Sequence, residues 1–208
     1  MKSLSDIYPK YCGSEDAYRS LGREAYNNLL STAEGRSTVK ITSGTDKGTS
    51  HDYIPVYEKY ITKRNNIDFL EIGIAEGYSM KMWNDYFENS RIYGCDHNLG
   101  QMHFKVDNVF EIDSHNPDSV ASVFANKKFN YIIDDGDHKA TTQIKTFDCM
   151  WPYLKDEGIY FIEDIENDNS LSMIINHIGS LRHHVYDNRQ GTGQWDEIMI
   201  IIFKDIEG

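Results

Sequence analysis

The densest chemistry in the chain lies in two short acidic stretches, Asp134-Asp135-Gly136-Asp137-His138 and Glu163-Asp164. Each follows an apolar run, Phe129 to Ile133 and Gly158 to Ile162, of the kind that forms a buried strand. If both runs lie in one parallel sheet, their ends open into the same crevice and Asp135, Glu163 and Asp164 converge. Several carboxylates in one concave site raise one another's pKa values unless a cation is present. Oxygen donors of this type suit Mg²⁺, which leaves coordination positions for water or substrate oxygens. His138, three residues beyond Asp135, faces the same mouth and has the side chain best suited to move a proton near neutral pH. A blander role stays open for each residue: Asp134, Asp137 and His138 can cap the following helix, and Glu163 and Asp164 can be solvated loop residues. Their joint appearance at two adjacent strand ends favours a site, because unpaired buried carboxylates are costly.

A second feature precedes them. The run Glu71-Ile72-Gly73-Ile74-Ala75-Glu76-Gly77 forms an ExGxxxG turn after an apolar strand, and Asp96 ends the next strand. Glycines let a backbone pass close to a ligand, and a carboxylate about 20 residues beyond such a turn is where a ribose diol is held. Gly73, Gly77 and Asp96 are therefore candidates for a nucleoside-type cofactor. The turn departs from GxGxxG, which disfavours NAD; S-adenosylmethionine has no pyrophosphate to cradle and accepts a looser pattern. Asp113, after the third strand, is placed to meet an adenine amino group, although an exposed loop aspartate reads the same way.

The elements that must position these residues follow from periodicity. Strands are expected at Ile67 to Ile72, Arg91 to Cys95, Asn108 to Ile112, Phe129 to Ile133, Gly158 to Ile162, around Val185 and at Glu197 to Phe203. Helices are expected at Gly77 to Phe87, Ser119 to Phe124, Lys139 to Leu154 and Leu171 to Ile178, the third with Ile144, Phe147, Met150 and Trp151 on one face. Such alternation implies an α/β doubly wound, Rossmann-like, seven-stranded and mostly parallel sheet. Before residue 63, Asp16 to Ala33 has helical residue types, Thr42 to Thr49 reads as a loop, and Tyr53 to Tyr60 starts a helix with Pro55 in its first turn. Residues 1–62 are read as an N-terminal helical cap on a catalytic domain of residues 63–208. The loop Gln190 to Gln194 reads as a plain hairpin turn.

Bulk composition narrows the partners. The 208 residues suit one core. The excess of 33 acidic over 21 basic residues, a net charge of -12, argues against a nucleic-acid backbone as partner. Cys12, Cys95 and Cys149 are widely separated and suggest neither a zinc site nor disulfides, which fits a cytoplasmic protein. The longest apolar run, Ile198 to Phe203, is too short for membrane insertion. A small-molecule substrate and a homo-oligomer are compatible with all of this.

In this order the motifs resemble a known family. Gly44-Thr45-Asp46-Lys47-Gly48 with His51 and Tyr53, then Leu70-Glu71-Ile72-Gly73, then Ile132-Ile133-Asp134-Asp135-Gly136-Asp137-His138, then Ile162-Glu163-Asp164, are similar to the Mg²⁺-dependent sugar O-methyltransferases of macrolide and rhamnosyl type and related cephalosporin-hydroxylase-like proteins. The resemblance covers roughly residues 43–203 and implies the class I methyltransferase fold. It implies S-adenosylmethionine and Mg²⁺ as cofactors, Asp135, Glu163 and Asp164 as metal ligands, and His138 as the general base. Glu71, Gly73, Asp96 and Asp113 would line the cofactor pocket, with Gly77 and Asp134 beside them. Thr45, Asp46 and Lys47 would lie in the cap over cofactor or acceptor. The family usually has serine at the position of Asp137, and some members carry a longer N-terminal portion than is found here.

The expected reaction is methyl transfer to a sugar hydroxyl, on a nucleotide-linked sugar, a glycan or a glycosylated natural product. Three alternatives are weighed against it. A catechol-type enzyme resembles an Asp, Asp, Asn metal set with a lysine base, unlike Glu163-Asp164 and His138. A metal-independent N-methyltransferase of an amino sugar or other small molecule would ignore chelators. A non-catalytic cofactor-binding protein would be expected to have lost part of the set that stands intact here.

Overall fold

The computed structural model describes residues 2–12 and 44–206. The expected helix of Asp16 to Ala33 lies outside them. The described chain runs α1 (Leu4–Ile7), α2 (Ile54–Tyr60), β1 (Asp68–Ile72), α3 (Tyr78–Tyr86), β2 (Arg91–Asp96), β3 (Val109–Glu111), α4 (Pro117–Phe124) and β4 (Phe129–Asp134). It continues with α5 (Ala140–Met150), β5 (Leu154–Ile162), α6 (Asp168–Ile178), β6 (His183–Asp187), α7 (Arg189–Thr192) and β7 (Ile198–Phe203).

The seven strands form one sheet in the order β3-β2-β1-β4-β5-β7-β6, parallel except for β7. Central strands covered on both faces lose the polar alternation of a half-exposed strand, which is why β1 and β7 are buried at every residue. Side chains alternate between two cores. Phe69, Ile133, Phe161 and Ile201 point toward α1, α2 and α3, where Leu4, Tyr57 and Trp83 pack on them. Leu70, Ile132, Tyr160 and Ile200 point toward α4, α5 and α6, against Phe124, Phe147 and Ile174. The described N-terminal residues Leu4, Ile7, Tyr8, Tyr53 and Tyr57 are thus part of the first core, not a layer apart from it.

Local signals set the helix starts. Asn116 caps α4 by accepting from the amides of Asp118 and Ser119, with Pro117 at its first position. Asn167 does the same for α6, accepting from Asn169 and Ser170. Pro55 sits in the first turn of α2 as its fixed φ allows.

Two elements differ from expectation. The helix read as far as Leu154 ends at Met150, passes through a short 3₁₀ turn over Trp151–Tyr153, and gives way to β5 at Leu154. Pro152 is the cause, since it has no N–H to continue the ladder. The segment 190–194, read as a bare turn, contains one helical turn whose Gly193 closes it in the left-handed region at φ 74°.

Candidate active site

Register brings the site together. Ile72 of β1 pairs with Cys95 of β2 and with Asp134 of β4, and Asp134 pairs with Ile162 of β5. The next residue of each strand therefore emerges beside its neighbours: Asp96, Gly73, Asp135 and Glu163 leave the sheet in one row. The row spans β1 and β4, where the chain reverses its direction of winding, the usual place for a ligand in such sheets.

Gly73 holds the centre of this row. Its φ of 79° and the 1.9 Å that would separate a Cβ from the Asp135 carbonyl oxygen exclude any side chain. Gly77, at φ 85°, is the residue before α3. Asp96 Oδ2 accepts from the amides of Ile74 (3.0 Å) and Ala75 (3.1 Å), so this carboxylate buckles the turn to β2. A cavity of about 460 Å³ opens beside the turn, with Gly73, Asp96, Asp113, Asp135, Gln101 and His115 on its wall. A second, of about 330 Å³, shares Gly73, Gln101 and Asp135 with it and adds Thr45, Asp46 and Gly77. Both are within the range of small-ligand sites.

The acidic residues divide into two groups. In the outer group, His138 Nε2 lies 3.4 Å from Asp135 Oδ1 and 3.6 Å from Asp164 Oδ2. One donor atom from each of the three lies within 4.8 Å of the others, a set that could hold a metal ion. His138 and Asp164 both take left-handed backbone, at φ 63° and 53°, a conformation that costs energy in non-glycine residues and tends to persist at functional sites. Burial opposes a charge on His138, yet the Asp135 hydrogen bond and the Asp164 charge outweigh it and raise the imidazole to about 9. Burial, with Asp135 adding to it, lifts Asp164 to about 6 against the pull of His51 and His138. Asp164 Oδ1 also accepts from the Tyr53 hydroxyl at 2.7 Å and lies 3.4 Å from His51 Nδ1, which sits 3.1 Å from Glu197 Oε2.

The inner group is built on Lys47, whose side chain is 1% exposed. Its Nζ donates to Asp135 Oδ2 at 2.6 Å and to both Glu163 oxygens at 2.9 Å, and stands 3.3 Å from Glu71 Oε1. Burial works against the ammonium, but the three carboxylates hold it well above its ordinary range. The Tyr57 hydroxyl donates to Glu163, and Ser79 donates to Glu71 at 2.7 Å.

Several expected positions are therefore placed differently. Glu163, expected on a metal with Asp135 and Asp164, turns its carboxylate inward to Lys47 and Tyr57 because the strand alternation carries it to the buried side. Lys47 and Glu71, expected on the cofactor, are buried as an ion pair and line neither cavity. Asp134, also expected there, is 1% exposed, and burial pushes it up to about 8. Asp137 accepts from the Thr142 hydroxyl and the Lys139 amide, which ties the turn before α5 to its first turn. Gly73, Gly77, Asp96, Asp113 and Thr45 line the cavities. The strand-end reading had no means of finding Tyr57 and Glu197, which reach the acids from elsewhere in the chain; Tyr53 entered only through the motif shared with the resembled family.

Known proteins resemble this chain in sequence and in fold. Residues 70–165 match the family described as methyltransferase domain. The 8-demethyl-8-alpha-L-rhamnosyl tetracenomycin-C 2'-O-methyltransferase of Streptomyces olivaceus is 25% identical over 202 residues, 80% of this chain and 52% of that protein. The mycinamicin VI 2''-O-methyltransferase of Micromonospora griseorubida is 24% identical over 187 residues, 76% of this chain and 45% of that one. This chain thus spans about half the length of these relatives. Among solved structures, MycE methyltransferase from the mycinamycin pathway, in complex with Mg, SAH and mycinamycin VI, superposes with a TM-score of 0.61 at 20% identity, over 86% of this chain and 54% of that one. At that identity the likeness concerns the fold. Residues 70–165 are thus similar in sequence to the methyltransferase domain, and the chain shares the fold of MycE methyltransferase.

Proposed function

We propose that the chain is an S-adenosylmethionine-dependent O-methyltransferase that methylates a sugar hydroxyl with the help of Mg²⁺. The observation that carries this reading is the convergence of His138 and Asp164 on Asp135, the residue that also lines both cavities beside the glycine turn. The similar protein whose name specifies O-methylation of a rhamnosyl tetracenomycin supports the choice of acceptor.

The residues present fit both groups. Oxygen donors of Asp135 and Asp164 are of the hard type Mg²⁺ takes, while Glu163 is held by Lys47. Asp96 and Asp113, on one cavity, would hold the adenosine portion of S-adenosylmethionine, and Thr45 and Gly77, on the other, the remainder. When bound, S-adenosylmethionine supplies the methyl group and Mg²⁺ the Lewis acid that makes a ligated hydroxyl more acidic. The chain's own work is orientation and proton transfer. His138 Nε2 takes the proton of the acceptor hydroxyl, and its neighbours Asp135 and Asp164 stabilise the imidazolium that results. Tyr53 and His51 hold Asp164 in place from behind. The loop between β6 and β7 lies at the same end of the sheet and exposes Trp195 to 63%, an aromatic face available to a pyranose ring.

The test is thermal unfolding with S-adenosylmethionine, followed by labelled methyl transfer to nucleotide-linked and aglycone-linked deoxysugars with Mg²⁺ or EDTA. Cofactor at 100 times its Kd should add about 2.7 kcal/mol, a rise of about 5–10 °C in Tm. Transfer abolished by EDTA is the expected result. Transfer that EDTA leaves intact would turn the assignment toward metal-independent methylation, and no stabilisation by the cofactor would defeat the reading altogether.

A further inference from the structure

Asp135 shares its two oxygens between two poles. Oδ2 receives the Lys47 ammonium at 2.6 Å, and Oδ1 faces His138 Nε2 at 3.4 Å within the outer donor set. Around Lys47 Nζ stand carboxylates from three neighbouring strands: Glu71 within β1, Asp135 after β4 and Glu163 after β5. A carboxylate bridging two cations is how paired-metal sites are assembled. Here an ammonium stands in the inner place of such a pair.

The placement of that ammonium is rigid. The turn carrying Lys47 is closed by amides of Thr49 and His51 donating to Asp46 O at 3.0 and 3.1 Å, and by Tyr53 N donating to Lys47 O at 2.9 Å. Tyr57, which donates to Glu163, is itself wedged edge-on between Trp83 and Phe161. Water is kept from the inner pole, where an unpaired carboxylate would be costly.

The geometry points to Lys47 as a built-in cation and positioning residue of the acidic site. It occupies the inner place, compensates Glu163 and Glu71, and turns Asp135 so that one oxygen is left for a single exchangeable cation beside Asp164. This inference rests on the cation-binding part of the function proposed above and is independent of the acceptor.

Lys47→Met and Lys47→Arg test it, through thermal unfolding in EDTA and in Mn²⁺ and through the number of Mn²⁺ ions bound per chain, read from the spin-resonance signal of free Mn²⁺. The Met variant should lose about 10 °C in EDTA, because it strands buried carboxylates. Mn²⁺ should return most of that loss by filling the vacated place, giving two ions per chain against one in the parent and in the Arg variant. One ion per chain in the Met variant, with a Mn²⁺ increment no larger than the parent's, would overturn the inference. If the Met variant folds in neither condition, Lys47→Met combined with Glu163→Gln removes one charge of each sign. Parent-like unfolding of that pair in EDTA supports the charge role; its failure to fold shows that Lys47 serves by packing and overturns it. No ion on the parent but one on the Met variant keeps Lys47 as the internal cation while removing Mg²⁺ from the proposed reaction.

Discussion

At the scale of single residues, the base role proposed for His138 makes two demands that its surroundings set against each other. Asp135 and Asp164 stabilise the imidazolium and lift the group to about 9, which favours the product of proton transfer but leaves little free base at neutral pH. Activity should therefore rise with pH toward that value, since only the neutral ring accepts a proton. A cation at the carboxylates repels the imidazolium, so the rising limb should move to lower pH as Mg²⁺ is increased. A pH–rate profile at two Mg²⁺ concentrations checks this, and superimposable limbs would count against it. Replacing His138 by Ala should cut turnover by roughly 10²–10⁴-fold with little change in cofactor affinity, as single-turnover rates and calorimetry would show. A variant with parent-like turnover would remove the base assignment.

The element on which the site depends is the turn from β1 to α3. It is gripped from both sides, by Asp96 on the amides of Ile74 and Ala75 and by the Asp135 amide donating to Ile72 O at 2.9 Å. Gly73→Ala would place a methyl group against the Asp135 carbonyl at a backbone angle that side chains resist. We expect a loss of about 2 kcal/mol or more in urea unfolding, together with loss of thermal stabilisation by S-adenosylmethionine. Stability lost with cofactor response retained would mean that the turn matters for folding alone. This turn was legible because its signal is local: a glycine pair after an apolar strand, followed by an acid at the next strand end. The break after Met150 carried an equally local sign in Pro152, but the helical periodicity of Lys139 to Trp151 masked it.

For the molecule as a whole, the buried network of His51, Glu197, Asp164 and Tyr53 joins the loop before α2 to the start of β7 and to the site. Burial opposes a charged His51, but the hydrogen bond to Glu197 and the charges of Asp164 and Asp46 raise it to about 10. A folded pKa above the ordinary 6.5 means that the stabilisation is complete below about pH 6.5 and is lost as pH climbs toward 10. Urea unfolding of the parent should thus show a decline to which His51 contributes on the order of 5 kcal/mol across that window, and His51→Gln should make it shallower, leaving the part due to His138. Equal slopes in the two proteins would place the titration elsewhere.

What the sequence by itself determined was whatever depends on neighbours along the chain. Strand runs, the Gly73 turn, the acids at the ends of β4 and β5, and with them the doubly wound sheet all follow from short-range pattern. The tertiary structure decided how those acids are used. Lys47 reaches Asp135 across 88 residues and Glu163 across 116, and Tyr53 reaches Asp164 across 111, so no local spacing announces them. It also separated two adjacent carboxylates that read alike. Glu163 continues the alternation of β5 and is carried inward to the ammonium, whereas Asp164, in left-handed backbone, turns to face His51 and His138. The choice between a structural ion pair and a ligand position rests on that reversal of the chain, and it is set by which buried partners lie on each side of the sheet.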